Sequence, residues 1–206
     1  MAIETTDAEG KGGITFGGNE IAKRPELAVK IALVGSSWAM LEAHAGQCLG
    51  VLMRADSRSA IALLQRFPTA TAKEQTIAAV AKATLDSEQL GELKVLLRRF
   101  RELAKIRNDI AHGIWGTDPR QLEALIWAPS SIIADTTLSI VDDMIAGKSP
   151  DEILAARSEA FELYDAARFD AVLANLAELT KDLVEFATLR HVAALTARFG
   201  ASTSGS

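Results

Sequence analysis

Arg107, Asn108 and His112 are the residues of this chain whose types and spacing suit chemistry. An imidazole titrates near neutral pH, and a guanidinium stays charged at any pH a cell reaches. Side by side they suit proton transfer next to a fixed positive charge, which is what reaction at a phosphodiester needs. If the segment is helical, Asn108 stands one turn before His112 and can orient its ring by a hydrogen bond. His112 would then lie in the last helical turn, where the helix dipole favours the imidazolium form.

The segment leading to His112 reads as a helix with two distinct faces. At ~100° per residue, Leu93, Leu96, Leu97, Phe100, Leu103, Ala104, Ile110 and Ala111 share one apolar face. Arg107 falls inside that stripe, so it requires a partner, a route to solvent or a cavity. Lys94, Arg98, Arg101, Lys105, Asn108 and His112 follow one another at spacings of four, three, four, three and four on the adjoining face. Between positions 94 and 107 there are six Lys or Arg and a single acid, Glu102. A cationic track ending at a protonatable group is what a polyanion would bind.

These residues need a frame, and the helix punctuation supplies one. Pro25 suits the first turn of a helix running to about Met53. Asp56 caps a short helix that stops before Pro68. Thr71 with Glu74, and Asp86 with Gln89, have capping-box spacing and open two further helices, the second ending at His112 before Gly113. Ser149-Pro150-Asp151-Glu152 opens another helical region reaching about Phe199, with a break near Asp165. Leu173, Leu176, Leu179, Leu183, Phe186 and Leu189 mark its core-facing stripe. Ile114-Trp115-Gly116 and Ala124-Leu125-Ile126-Trp127 flank a turn at Asp118-Pro119 and read as a short β-hairpin. Residues 130–148 fit either a helix or an extended connection.

The fold class that results is all-α: an antiparallel bundle of four to six helices with a small β-hairpin after the motif helix. One domain is expected over residues 23–199, with a flexible segment at 1–22 and a disordered tail at 200–206. Gly12, Gly13, Gly17 and Gly18 do not make a phosphate loop, because no Lys-Ser/Thr pair follows and no strand is visible before them.

Composition narrows the remaining classes. The chain has 206 residues, 49% hydrophobic and only 5% aromatic, which suits a core of Leu, Ala, Ile and Val in packed helices. A single cysteine, Cys48, excludes an intramolecular disulfide framework. The N-terminus has no signal-peptide core, and Ile31–Leu41 is too short to span a bilayer, so no membrane association and a cytoplasmic location are expected. A net charge of −5 argues against nucleic-acid binding by the whole surface, though not by one local strip.

Arg107-Asn108-Asp109-Ile110-Ala111-His112, followed by Gly113, resembles the signature of the HEPN superfamily (higher eukaryotes and prokaryotes nucleotide-binding domains). That signature is an Arg, a polar residue, and a His four to six positions on, near the end of a core helix. The resemblance extends more weakly over residues 25–199, through an early helix with Trp38 and Glu42, a Trp after the motif, and a final helix pair. It implies a homodimer whose two motifs face each other across a cleft, and a metal-independent endoribonuclease of the kind found in toxin-antitoxin and phage-defence systems. It also implies roles: His112 moves the 2′-hydroxyl or leaving-group proton, Arg107 stabilises charge in the transition state, and Asn108 holds substrate or the ring. Lys94, Arg98, Arg101 and Lys105 would contact RNA, and the products would carry 2′,3′-cyclic phosphates.

Plainer readings accompany each residue. Arg107 can cap a bundle end or pair with Glu42; His112 can be a dipole partner; the basic strip can be a solvated helix face. The alternative function is a non-catalytic dimeric protein that binds RNA or a nucleotide, or a regulatory interaction protein, with a cognate antitoxin or regulatory partner. His44 and Cys48 share a helix face but lack further ligands, so a packed pair is expected and no metal or cofactor. His191 reads as exposed or interfacial, Trp115 and Trp127 as packing the hairpin on the bundle, with stacking on a base the lesser alternative, and Asp142-Asp143 and Asp151-Glu152 as turn and helix start.

Overall fold

A computed structural model describes residues 3–6, 12–149, 152–153 and 156–203. The described chain is mostly helical, with one antiparallel sheet. It divides into two compact units: Met1–Gly35 with Ile106–Leu173, and Ser36–Lys105 with Ala174–Ser206.

The helices are α1 (Pro25–Met53), α2 (Ser57–Leu64), α3 (Ala70–Thr84), α4 (Ser87–His112), α5 (Ser130–Ile145) and α6 (Ala166–Thr203). Local chemistry sets their starts. The Asp56 carboxylate accepts from the Ser59 N–H at 2.9 Å, and that of Asp86 from the Gln89 N–H at 2.9 Å. Helix α3 is capped by Thr69, whose hydroxyl accepts from the Ala72 N–H at 3.1 Å, and not by Thr71. The Thr69 backbone is extended, as an N-cap requires, while Thr71 already lies inside the helix. Residues 130–145, ambiguous in sequence, are helical.

The first unit holds the sheet, in the order β1 (Ile3–Thr6), β2 (Gly12–Phe16), β3 (Ile114–Thr117), β4 (Ala124–Ala128), β5 (Glu162–Asp165). The two strands read from the sequence after the motif helix therefore have neighbours on both sides. β1 and β2 fall where a flexible segment was expected, and β5 interrupts the region expected to be helical from 149 onward. Trp115 stands opposite Trp127, and Phe16 opposite Gly116. The β2–β3 and β4–β5 pairings join strands far apart in sequence, which local sequence does not reveal. All five residues of β4 are buried, which explains its unbroken Ala-Leu-Ile-Trp-Ala run. Gly17 and Gly18 do follow a strand, but a 3₁₀ turn at Glu20–Lys23 comes next.

Phe16, Ile126, Ala128 and Ile133 form one buried cluster, with Ile14, Ile114 and Phe161 packed against it. Trp115 meets Tyr164 edge-on at 5.2 Å and Phe169 at 5.9 Å, and the Arg168 guanidinium lies 3.8 Å from the centre of the Tyr164 ring. Glu20 is buried; it accepts from the Thr117 hydroxyl and pairs with Lys23 at 2.8 Å, tying the N-terminal segment to β3.

The second unit is helical. Leu41, Leu49, Leu64, Ile77, Leu93, Phe100, Leu176 and Leu179 are fully buried in its core. Trp38 packs on Phe100 at 4.9 Å, and Lys73 pairs with Glu42 at 2.6 Å. Of the α6 stripe, Leu176, Leu179, Leu183 and Phe186 are buried, whereas Leu189 is 59% exposed.

The backbone of α6 is described through Thr203, past the expected start of the tail at 200. Glu152 accepts from the Ser149 N–H at 2.7 Å and donates its own N–H to the Ser149 hydroxyl at 3.3 Å, a reciprocal cap. Pro150 and Asp151 lie outside the described residues, as do residues 204–206 of the expected tail. No helix among the described residues is long and apolar enough to cross a membrane.

Candidate functional site

The motif closes α4, whose residues up to Lys105 belong to the second unit and from Ile106 to the first. The helix ends at His112, and Gly113 follows it without a left-handed backbone. The Gly113 N–H donates to the Asp109 carbonyl at 2.9 Å, and the Trp127 indole Nε1–H donates to the same oxygen at 2.7 Å. A Cβ at position 113 would sit 1.6 Å from Nε1 of Trp127, so only glycine lets the indole approach. Strand β4 thus clamps the turn that carries the histidine.

Arg107 is half-buried, and its Nη1 donates to Oδ1 of Asn108 at 3.1 Å. Asn108 is therefore engaged by the arginine and not by His112, the pairing expected from the spacing. His112 is exposed, and no side-chain hydrogen bond holds its ring among the described residues. Glu42, a candidate partner for Arg107, is taken by Lys73. Ala111, assigned to the apolar stripe, is exposed: it stands in the last turn, where the helix leaves the core.

Asn108, Asp109, His112 and Gly113 line a cavity of about 240 Å³ with Trp127, Pro129, Ser130 and Ser131. The latter three are the start of α5. Pro129 is its N-cap and offers no side-chain acceptor, so among the described residues no side chain caps the first backbone N–H groups of α5. The structure thus brings Asn108 and His112 together on one concavity and leaves Arg107 outside its lining. Ser130 and Ser131 were not singled out from the sequence. The signal was present in Ala128-Pro129-Ser130-Ser131, a proline and two serines after an apolar run.

The basic strip is exposed along its length, at Lys94, Arg98, Arg101 and Lys105. It is partly neutralised. Arg98 lies 4.0 Å from Glu102, and Arg101 lies 3.5 Å from Glu74. Arg99, beside the strip, pairs with Asp182 at 2.6 Å and Glu178 at 3.1 Å.

Among the described residues no group of three or more His, Cys, Asp or Glu side chains could hold a metal ion. Cys48 is buried, and burial pushes its thiol up to about 12. The His44 Nδ1 lies 2.8 Å from Oε1 of Gln47. His191 is exposed, and Asp143 pairs with Lys148 at 2.8 Å. No family model, no curated protein and no solved structure matches the chain.

Proposed function

We propose that this chain is a HEPN-like, metal-independent endoribonuclease that acts at the cavity lined by Asn108 and His112. The observation that carries this reading is the meeting of two helix ends on one concavity. From α4 comes an exposed histidine with no side-chain hydrogen bond among the described residues; from α5 come two serines and an uncapped N-terminus. Backbone N–H groups at a helix N-terminus favour a phosphate. An imidazole beside them can move the proton of a neighbouring hydroxyl.

The reaction is transesterification within RNA. His112 takes the proton of the ribose 2′-hydroxyl as its oxygen attacks phosphorus. The bond to the 5′-oxygen breaks, and that oxygen takes up a proton from the His112 imidazolium or from water. The products are a 2′,3′-cyclic phosphate and a 5′-hydroxyl. Asn108 contacts substrate, and Arg107 acts through Asn108, whose side chain it holds. A homodimer with facing motifs, acting with a cognate antitoxin or regulatory partner, and a cytoplasmic location complete the proposal.

A second reading, a non-catalytic RNA-binding or nucleotide-binding protein or a regulatory interaction protein, is favoured by one feature. The acidic chain answers Arg98 and Arg101 with its own carboxylates, which weakens the strip as a track for a polyanion.

RNA cleavage in EDTA by the native protein, His112→Ala and Arg107→Ala separates the two. Chelator-resistant cleavage giving cyclic-phosphate ends, abolished in His112→Ala and strongly reduced in Arg107→Ala, supports the nuclease. Intact RNA with the native protein, or equal cutting by both variants, removes it.

A further inference from the structure

A second cavity, of about 340 Å³, lies within the first unit and is lined by Phe16, Gly17, Gly18, Ile21, Gly113, Ile114, Trp115, Ile133 and Thr137. Gly113 lines both cavities, and helix α5 borders both: Ser130 and Ser131 face the first, and Ile133 and Thr137 the second. An occupant of the second cavity is therefore a near neighbour of whatever His112 acts upon.

The lining decides what that occupant is. Its walls are mainly aliphatic and aromatic, from Ile21, Ile114, Ile133, Phe16 and Trp115. Gly17 and Gly18 contribute only backbone, and among the described residues the Gly18 N–H has no hydrogen-bond partner. The Thr137 hydroxyl donates to the Ile133 carbonyl at 2.8 Å, which leaves its oxygen free to accept. An apolar slot of this size with a few polar groups takes a compact ligand with flat faces and hydrogen-bonding edges. An unstacked nucleobase has that chemistry. No charged side chain is in the lining, so a phosphate does not belong there.

We infer that this second cavity is the subsite for a nucleobase flanking the phosphodiester at His112, and so sets sequence preference. The choice of occupant rests on the nuclease reading above.

The test uses the four ribonucleosides, which carry no phosphate and do not require the first cavity. Each is titrated calorimetrically into the native protein, Gly18→Leu, Thr137→Leu and His112→Ala. Gly18 is an exposed lining residue and a Cβ there would meet nothing within 4 Å, so Gly18→Leu adds an apolar side chain at the cavity without a clash at the backbone. Thr137→Leu enlarges another lining side chain and removes the acceptor, and serves if the first variant fails to fold. Binding of at least one nucleoside, weakened tenfold or more by a folded slot-filling variant and unchanged in His112→Ala, is expected. Failure of all four to bind the native protein overturns the subsite. So does binding that neither variant alters.

Cleavage assays separate this failure from that of the nuclease reading. RNA cut with the same site preference by native protein and slot variants removes the subsite and leaves the nuclease. Nucleoside binding that the variants abolish, in a protein that leaves RNA intact, removes the nuclease and with it the role in cleavage preference, and leaves a nucleoside-binding cavity.

Discussion

The indole Nε1 of Trp127 donates to the carbonyl oxygen of Asp109 at 2.7 Å, across 18 residues of sequence. Because Gly113 donates to the same oxygen, a strand side chain and the helix terminator share one acceptor in the turn that presents His112. Trp127→Phe removes one of the two bonds without orphaning the carbonyl, so the expected loss of stability is about 1 kcal/mol. Urea unfolding measures it.

Gly113→Ala should cost more, about 3 kcal/mol, because the new methyl collides with the indole. In a Trp127→Phe background the same change should cost at least about 1 kcal/mol less, since the colliding nitrogen is gone. A double-mutant cycle in urea that returned additive costs would refute this account of why glycine occupies position 113.

Asp118, at the turn between β3 and β4, accepts from the Arg120 N–H at 2.8 Å and from its Nε at 2.9 Å. The Arg120 hydrogen bonds hold the carboxyl below the usual carboxylate range, against the opposing effect of burial. A carboxyl whose pKa is lower in the folded chain stabilises it above the unfolded value, about 3.9, and loses that contribution as pH falls through the folded value. Thermal unfolding between about pH 6 and pH 2.5 should therefore show a smaller acid-side drop in Asp118→Asn than in the native protein.

Cys48 is shielded by position and by chemistry, being buried with a thiol pushed up to about 12. A thiol reagent at about pH 8 should leave the native protein unlabelled for hours and modify it rapidly in denaturant. Fast native labelling would contradict the packing described around α1.

If the exposed strip binds RNA, its lysines, unpaired among the described residues, matter more than its paired arginines. Lys94→Glu combined with Lys105→Glu should weaken RNA binding and reduce the slope of log affinity against log salt by roughly 0.7 for each phosphate no longer neutralised. Arg98→Glu should do less, because Glu102 already offsets that charge. Filter binding across a salt series tests both.

Much of the helical frame is legible in the sequence because its signals are local. Pro25, Asp56 and Asp86 mark helix starts through groups within four residues of themselves, whereas glycine at 113 answers to the distant Trp127. The apolar stripe of α4 coincides with buried positions at Leu93, Leu97, Phe100, Leu103, Ala104 and Ile110. It fails at Ala111, where the helix runs out of core to cover. Thr71 misleads because its own spacing to Glu74 fits a capping box, and only the extended backbone at Thr69 shows where the helix begins.

By itself the sequence determined that a helix ends at His112 with Arg107 and Asn108 in its final turns, because period, cap and terminator all lie within that segment. Tertiary structure alone decided that β2 and β5 flank β3 and β4, with β1 joined through its neighbour β2, since strands this short persist only when other strands complete their hydrogen bonds. It also decided which groups share the histidine's cavity. Ser130, Ser131 and Trp127 come to line one cavity with His112 through the return of β4 and α5 near the end of α4, an arrangement encoded in packing and in no contiguous stretch of residues.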